Sequence, residues 1–324
     1  MGVCKFCGEK AGWFSEAHDA CVAAAREGCQ QIASLLASVV TDKLIPPAGC
    51  AGDDGSLSRF AAQVWSEVKP ALDRVTAEHR VPSDAARQAI LQGWSTGAEQ
   101  VGLAQPAPFD RFAATHAFYR LVGFGDQEVR KTDGFLAIAF STILWSVMVH
   151  GDPTSDAVAD HPFNLRGGEV PLFFFGSVVY SKETVSKSYQ GGYGGASVRV
   201  GRGVYYHFGG FRGQRIDTAA LKEIDYGGML LTTENIYFGG EHTNFRIPYE
   251  HVVSFRPHSD GIGIFRDAAN AKAEVFSVLE AGPDGKPVSA RPVFGWFLFN
   301  LAHFLAQPEG RALYGTKAHS HPGS

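Results

Sequence analysis

Gly227-Gly228-Met229-Leu230-Leu231-Thr232-Thr233-Glu234-Asn235-Ile236-Tyr237-Phe238-Gly239-Gly240 is the stretch on which the fold turns. Apolar, β-branched and aromatic residues alternate with small or polar ones, and glycine is dense at both ends. That two-residue period predicts strands over Leu221–Leu231 and Asn235–Gly239, with Gly239-Gly240 as the turn into the next strand. Working outward, the same texture begins near Glu169. It predicts further strands over Val170–Tyr180, Thr184–Gln190, Ser197–Gly201, Gly203–Phe208, Asn244–Pro248, His251–His258, Gly261–Arg266 and Glu274–Leu279, with a second turn at Asp260-Gly261. Helical spacing returns at Gly295–Leu305 through Trp296, Phe297, Phe299, Leu301 and Phe304. Many short antiparallel strands and one terminal amphipathic helix predict a small barrel over 165–306 that the helix caps. Closure would remove the exposed sheet edges. Residues 307–324 have few apolar anchors and read as a flexible tail.

Upstream the period is 3.6. Ile32, Leu35, Leu36, Val39 and Val40 stripe a helix from Cys21 to Leu44. A linker rich in glycine and proline spans about 45–55. Three more apolar helical stretches then run to residue 122, and Thr132 caps a last one ending at His150. The run Phe135 to Val149 is apolar for fifteen residues apart from Ser141, Thr142 and Ser146. It is short for a bilayer and reads as a buried helix. Residues 26–152 are therefore expected to form a helical domain. The predicted class is α+β and multidomain.

The first 25 residues have a logic of their own. Cys4-x2-Cys7 and His18-x2-Cys21 supply three thiols and an imidazole in two tight pairs, the ligand set of a closed tetrahedral zinc site. Each pair sits within one turn of chain, so a single loop closure brings all four donors together. With every position filled by protein, the expected role of Zn2+ is structural. Cys29 and Cys50 are left over and read as buried free thiols. Five cysteines, three of them in the metal pattern, do not make a disulfide framework. Reduced thiols and the absence of an apolar leader predict a cytoplasmic protein.

The 324 residues are 45% hydrophobic and 19% charged, enough apolar content for a folded chain of two domains plus a small one. A net charge of −4 argues against nucleic-acid binding through bulk charge, and Lys5, Lys10 and Arg26 add few phosphate contacts. No G-x-S-x-G elbow, P-loop or H-E-x-x-H occurs. His258 with Asp260 has the residue types of a proton-transfer pair, but an ordinary polar turn is the preferred reading. Gly191-Gly192-Tyr193-Gly194-Gly195 reads as a hairpin tip, because no strand-to-helix context makes it a phosphate loop.

The stretch 227–240 resembles the signature strand pair of bacterial pleckstrin-homology-like (PH-like) and GRAM-like domains. The following Phe245-Arg246-Ile247-Pro248-Tyr249-Glu250-His251-Val252-Val253-Ser254 and Gly261-Ile262-Gly263-Ile264 resemble the next strands of such domains. The resemblance covers roughly Glu169 to Leu305. It implies a bent seven-stranded barrel with a C-terminal helix, and a binding role rather than a catalytic one. In that family the first barrel loops can hold an anionic headgroup, for which Lys182, Lys187, Arg199 and Arg202 are the candidates here. Residues 165–306 hold fourteen Lys and Arg against thirteen Asp and Glu, a balance that favours a protein ligand over a charged lipid. The helical block resembles the bundle of tellurite-resistance TerB-like proteins in helix order and in Ala89-Ile90-Leu91-Gln92-Gly93-Trp94, though most acidic residues of such domains are missing. Residues 1–25 resemble a zinc-ribbon or treble-clef knuckle, with Cys4 and Cys7 in a hairpin and His18 and Cys21 at a helix start. The expected function is a non-enzymatic adaptor that binds a protein partner. The alternative is a peripheral membrane sensor of anionic lipid.

Overall fold

The computed structural model describes residues 2–12, 15–43, 54–104, 109–151, 161–183, 196–199, 205–208, 221–267, 272–282 and 284–315. At 54, 109–111, 196–199, 205–208 and 315 only the backbone is described. The chain forms two compact units, Met1–Thr142 and Ile143–Ser324. The class is α+β.

The first unit is helical. α1 (Asp19–Lys43), α2 (Asp54–Glu78), α3 (Ser83–Ala104), α4 (Phe109–Val122), the single turn α5 (Asp126–Val129) and the first part of α6 (Asp133–His150) follow in order. Of the predicted stripe, Ile32, Leu36, Val39 and Val40 of α1 are buried with Val64, Val68 and Leu72 of α2 and Trp94 of α3 in one core, and Leu35 is half-buried against it. Trp94 packs edge-on to Tyr119, and Trp65 edge-on to Phe118. α1 and α3 approach closely because α3 presents glycine. A Cβ at Gly93 would stand 2.4 Å from the Ala33 carbonyl oxygen, and one at Gly97 2.6 Å from that of Ala37. Gly123, at φ +89°, ends α4. Thr132 Oγ1 accepts the Phe135 amide at the start of α6. α6 is the one described helix long and apolar enough to cross a membrane.

The second unit is built on an antiparallel sheet. β1 (Pro171–Glu183), β4 (Leu221–Thr232), β5 (Asn235–Gly240), β6 (Asn244–Pro248), β7 (Val252–His258), β8 (Gly261–Arg266) and β9 (Glu274–Ala281) pair in the order β6-β5-β4-β1-β9-β8-β7. β10 (Pro287–Ser289) adds to β9, and β2 (Ala196–Arg199) pairs with β3 (Tyr205–Phe208) as a separate ribbon. The predicted strand at Thr184–Gln190 lies outside the described residues.

The expectation of a closed barrel needs correction. Among the described residues no ladder joins β6 to β7, so the sheet is open with those two strands as its edges. It is nevertheless rolled. Phe245 on β6 and Phe276 on β9 are four strands apart along the sheet, about 19 Å if it were flat. Their rings lie 6.3 Å apart, and Phe238 and Tyr180 complete the same cluster. Register shifts in β1 between Phe175 and Val178 and between Tyr180 and Ser181 mark where the strand bends. The chain passes from β6 to β7 through a 3-10 turn at Tyr249–His251, which prevents the two strands from running on as a hairpin.

Gly239-Gly240, expected as a turn, lies inside β5, and the chain reverses at residues 241–243. The glycines serve close approach. A Cβ at Gly240 would sit 2.4 Å from Asp225 Oδ2, and one at Gly239 2.8 Å from the Phe163 ring. The buried Asp225 carboxylate accepts the amides of His242 and Thr243, at 2.8 and 2.7 Å, and so fixes the true turn. Glu169 does the same for the β4–β5 corner. Its buried carboxylate accepts hydrogen bonds from Thr232 Oγ1, Asn235 Nδ2 (2.8 Å), Tyr237 Oη (2.7 Å) and the Arg166 amide (3.2 Å). Burial raises its pKa, but the donors outweigh burial and hold it below the usual glutamate value.

α7 (Pro292–Ala306) covers part of the sheet, with the Phe297 ring 4.7 Å from Phe173 and 6.3 Å from Phe175. Where a flexible tail was expected, Pro308–Gly315 forms α8, and Tyr314 Oη donates to the Val147 carbonyl at 3.2 Å. Residues 316–324 lie outside the description.

Candidate metal centre

The N-terminal chain reverses on itself before α1 begins. Val3 bridges Lys10, the Cys4 amide donates to the Glu9 carbonyl (2.8 Å), and the Gly8 amide donates to the Cys4 carbonyl (2.9 Å). Gly8 sits at φ +76°, a conformation that glycine adopts without strain, and it directly follows the second cysteine. This tight turn puts Cys4 and Cys7 on one side. The Lys5 amide donates to the Glu16 carbonyl at 3.0 Å, which brings back the segment leading into α1. His18 then immediately precedes the helix, and Cys21 lies in its first turn, where the helix dipole favours a thiolate.

All four donors converge. One ligand atom from each of Cys4, Cys7, His18 and Cys21 lies within 4.8 Å of every other. His18 Nδ1 is 3.4 Å from Cys7 Sγ and 3.8 Å from Cys21 Sγ. A tetrahedral ion with metal–sulfur bonds of about 2.3 Å and metal–nitrogen bonds of about 2.05 Å requires a nitrogen–sulfur edge of about 3.6 Å. The observed edges bracket that value. His18 Nε2 lies 3.1 Å from the Lys10 carbonyl. That contact assigns the proton to Nε2 and leaves Nδ1 as the bare donor facing the sulfurs, the outer-shell arrangement that orients a metal-binding histidine.

The electrostatics divide the thiols. Burial opposes ionisation of Cys4, but the backbone amides of His18, Cys7 and Phe6 point at its sulfur and bring its pKa down to about 6. Cys21 goes the other way: burial and the neighbouring Cys7 and Cys4 sulfurs push it up to about 11. Without a cation, three sulfurs this close cannot all carry charge. A divalent ion removes the conflict, and loading it displaces protons. The cluster can therefore hold a metal ion.

The structure brings together the four sequence-predicted ligands; of the four basic candidates only the Lys182 side chain lies among the described residues. Lys182 Nζ lies 3.9 Å from Glu274 Oε1 and 5.6 Å from the Tyr180 ring centre, so its charge is turned toward its own strands. Arg266 and the Tyr180 hydroxyl also donate to Glu274 Oε1, at 2.7 and 3.0 Å. Arg199 lies on β2, where only the backbone is described, and Lys187, Arg202 and the 191–195 glycine run lie outside the described residues. His258 and Asp260 share no hydrogen bond. The His258 Nε2 atom is buried, and burial keeps this imidazole below its ordinary pKa. Cys29 is half-buried rather than fully buried, its sulfur 3.9 Å from the Ala85 carbonyl, and Cys50 lies outside the description. Sequence reasoning missed the Lys10 and Glu16 carbonyls that orient the knuckle. They are backbone groups and leave no residue-type signal.

No family model, curated protein or solved structure matches this chain.

Proposed function

We propose that the Cys4, Cys7, His18, Cys21 cluster is a structural zinc site in a non-catalytic adaptor. The rolled sheet, read as a PH-like and GRAM-like domain, would serve as its protein-binding part. The observation that supports the metal assignment is the convergence of four donors, with His18 Nε2 engaged by Lys10 and Nδ1 free for the ion. Three thiolates and one imidazole in a tetrahedron suit zinc better than harder or square-planar ions. Four protein ligands leave no position for a reacting water, which favours a structural role. A protein partner is favoured over an anionic lipid because Lys182, Arg256 and Arg266 are already paired with Glu274 or Glu183.

The test uses the full chain. Purified wild-type protein should carry one zinc, and Cys4→Ser should carry none. Cobalt substitution should give the intense visible bands of a tetrahedral thiolate site. Immobilised wild-type chain should retain a specific protein from native cells, and vesicles containing phosphatidylserine should not bind. A wild-type chain without zinc would overturn the metal assignment. Salt-sensitive vesicle binding lost in Lys182→Glu would replace the adaptor with a membrane sensor.

A further inference from the structure

In the second unit a cavity of about 260 Å³ opens between residues 166–170, the β4–β5 turn, the 3-10 turn after β6, and α8. That is enough space for a small metabolite of amino-acid size.

Four charged side chains line it: Arg166, Arg311, Glu234 and Glu250. Among the described residues the side chains of Arg166, Arg311 and Glu234 have no hydrogen-bond or ion-pair partner, and Glu250 has only a loose one, His251 at 3.8 Å. Two cations and two anions thus share one concave mouth without neutralising one another, and concave walls strengthen the field on whatever enters. The balance of sign disfavours a polyanion such as a phosphorylated metabolite and suits a ligand carrying both charges. Tyr249 and Tyr314, both buried residues, also line the wall. The Tyr249 hydroxyl is buried with no hydrogen-bond partner among the described residues.

We propose that this cavity binds a free α-amino acid or a zwitterion of that size. Arg166 and Arg311 recognise its carboxylate, Glu234 and Glu250 its ammonium, and the two tyrosine rings its apolar side chain. Guanidinium–carboxylate recognition supplies the directional part of the affinity. The site is distant in sequence from the cysteine cluster and independent of the metal assignment.

Calorimetric titration of the full chain with each standard L-amino acid tests this, followed by leucinamide, N-acetyl-leucine and inorganic phosphate. At least one apolar amino acid should bind, and blocking either its carboxylate or its ammonium should weaken it about tenfold or more. Arg311→Gln and Glu234→Gln should each cause a similar loss. Both side chains are exposed, so the melting temperature of the free protein should not change. No binding by any amino acid at about 10 mM, where a Kd of about 1 mM is near saturation, overturns the proposal. So does binding of phosphate instead, or amino-acid binding that both substitutions leave intact.

Discussion

Residues 2–18 and the rolled sheet are stabilised by different means. In the N-terminal segment only Cys4 and Ala11 are buried among the described residues, and order depends on four converging polar donors. The sheet buries Tyr180, Phe238, Phe276 and Phe297 almost completely, and its order depends on apolar area. If the cluster holds an ion as proposed, the first region should depend on it for order and the second should not. The lesson is that a segment too short for a core can still be well specified, provided its donors are spaced to close one small ring of contacts.

The strongest way to break this contrast is to remove the metal. Structural zinc sites of this kind carry an apparent binding free energy of about 10–16 kcal/mol near neutral pH. Chelation or Cys4→Ser should therefore unfold residues 2–18 outright while the sheet stays intact. Amide exchange mapped along the chain checks both halves. Metal affinity should also rise with pH, because Cys21, pushed up to about 11, must surrender a proton to bind.

Next in size is Phe276→Ala, which empties the centre of the aromatic cluster and should cost the sheet about 3–5 kcal/mol. Zinc content should stay at the wild-type level. A parallel loss of metal would show that the two regions are not independent.

A smaller effect is expected at Glu169. Its folded-state pKa lies below its unfolded value, so its contribution is fully present above the unfolded pKa of about 4.3 and fades as pH falls through that value toward the folded one. Glu169→Gln should cost about 1–3 kcal/mol near neutral pH, since a neutral amide is a poorer acceptor and places donors against donors. Urea midpoints followed from about pH 7 to about pH 2 should stay apart above about pH 4 and converge below it as the folded-state carboxylate protonates. A constant gap would mean that charge is not what holds this corner.

The smallest effect belongs to Lys182→Ala. Its side chain is about half exposed, and the contact with Glu274 is long at 3.9 Å. Stability should change by no more than about 1 kcal/mol. A much larger loss would make Lys182 a structural partner of the buried Glu274.

What could be read ahead of the structure followed contact range. The candidate metal ligands were legible because each pair falls within one turn, and α1 and α7 because their stripes repeat every three or four residues. Glu169 was not legible: its side-chain donors lie 63, 66 and 68 residues further on. β10 was missed because three residues containing proline carry no period. Gly239-Gly240 misled because glycine serves two needs, a turn or a close approach. Only the neighbouring Asp225 and Phe163 show that it is the second.

The sequence by itself determined most of the strand and helix segments, the change from helical to strand texture, and the four-donor cluster, because local backbone geometry and short loop closure set all three. The tertiary structure alone decided that the sheet rolls without closing, that Lys182 turns to Glu274, and that Arg166, Arg311, Glu234 and Glu250 line one cavity. Those outcomes depend on which distant surfaces pack together, and no local spacing encodes that.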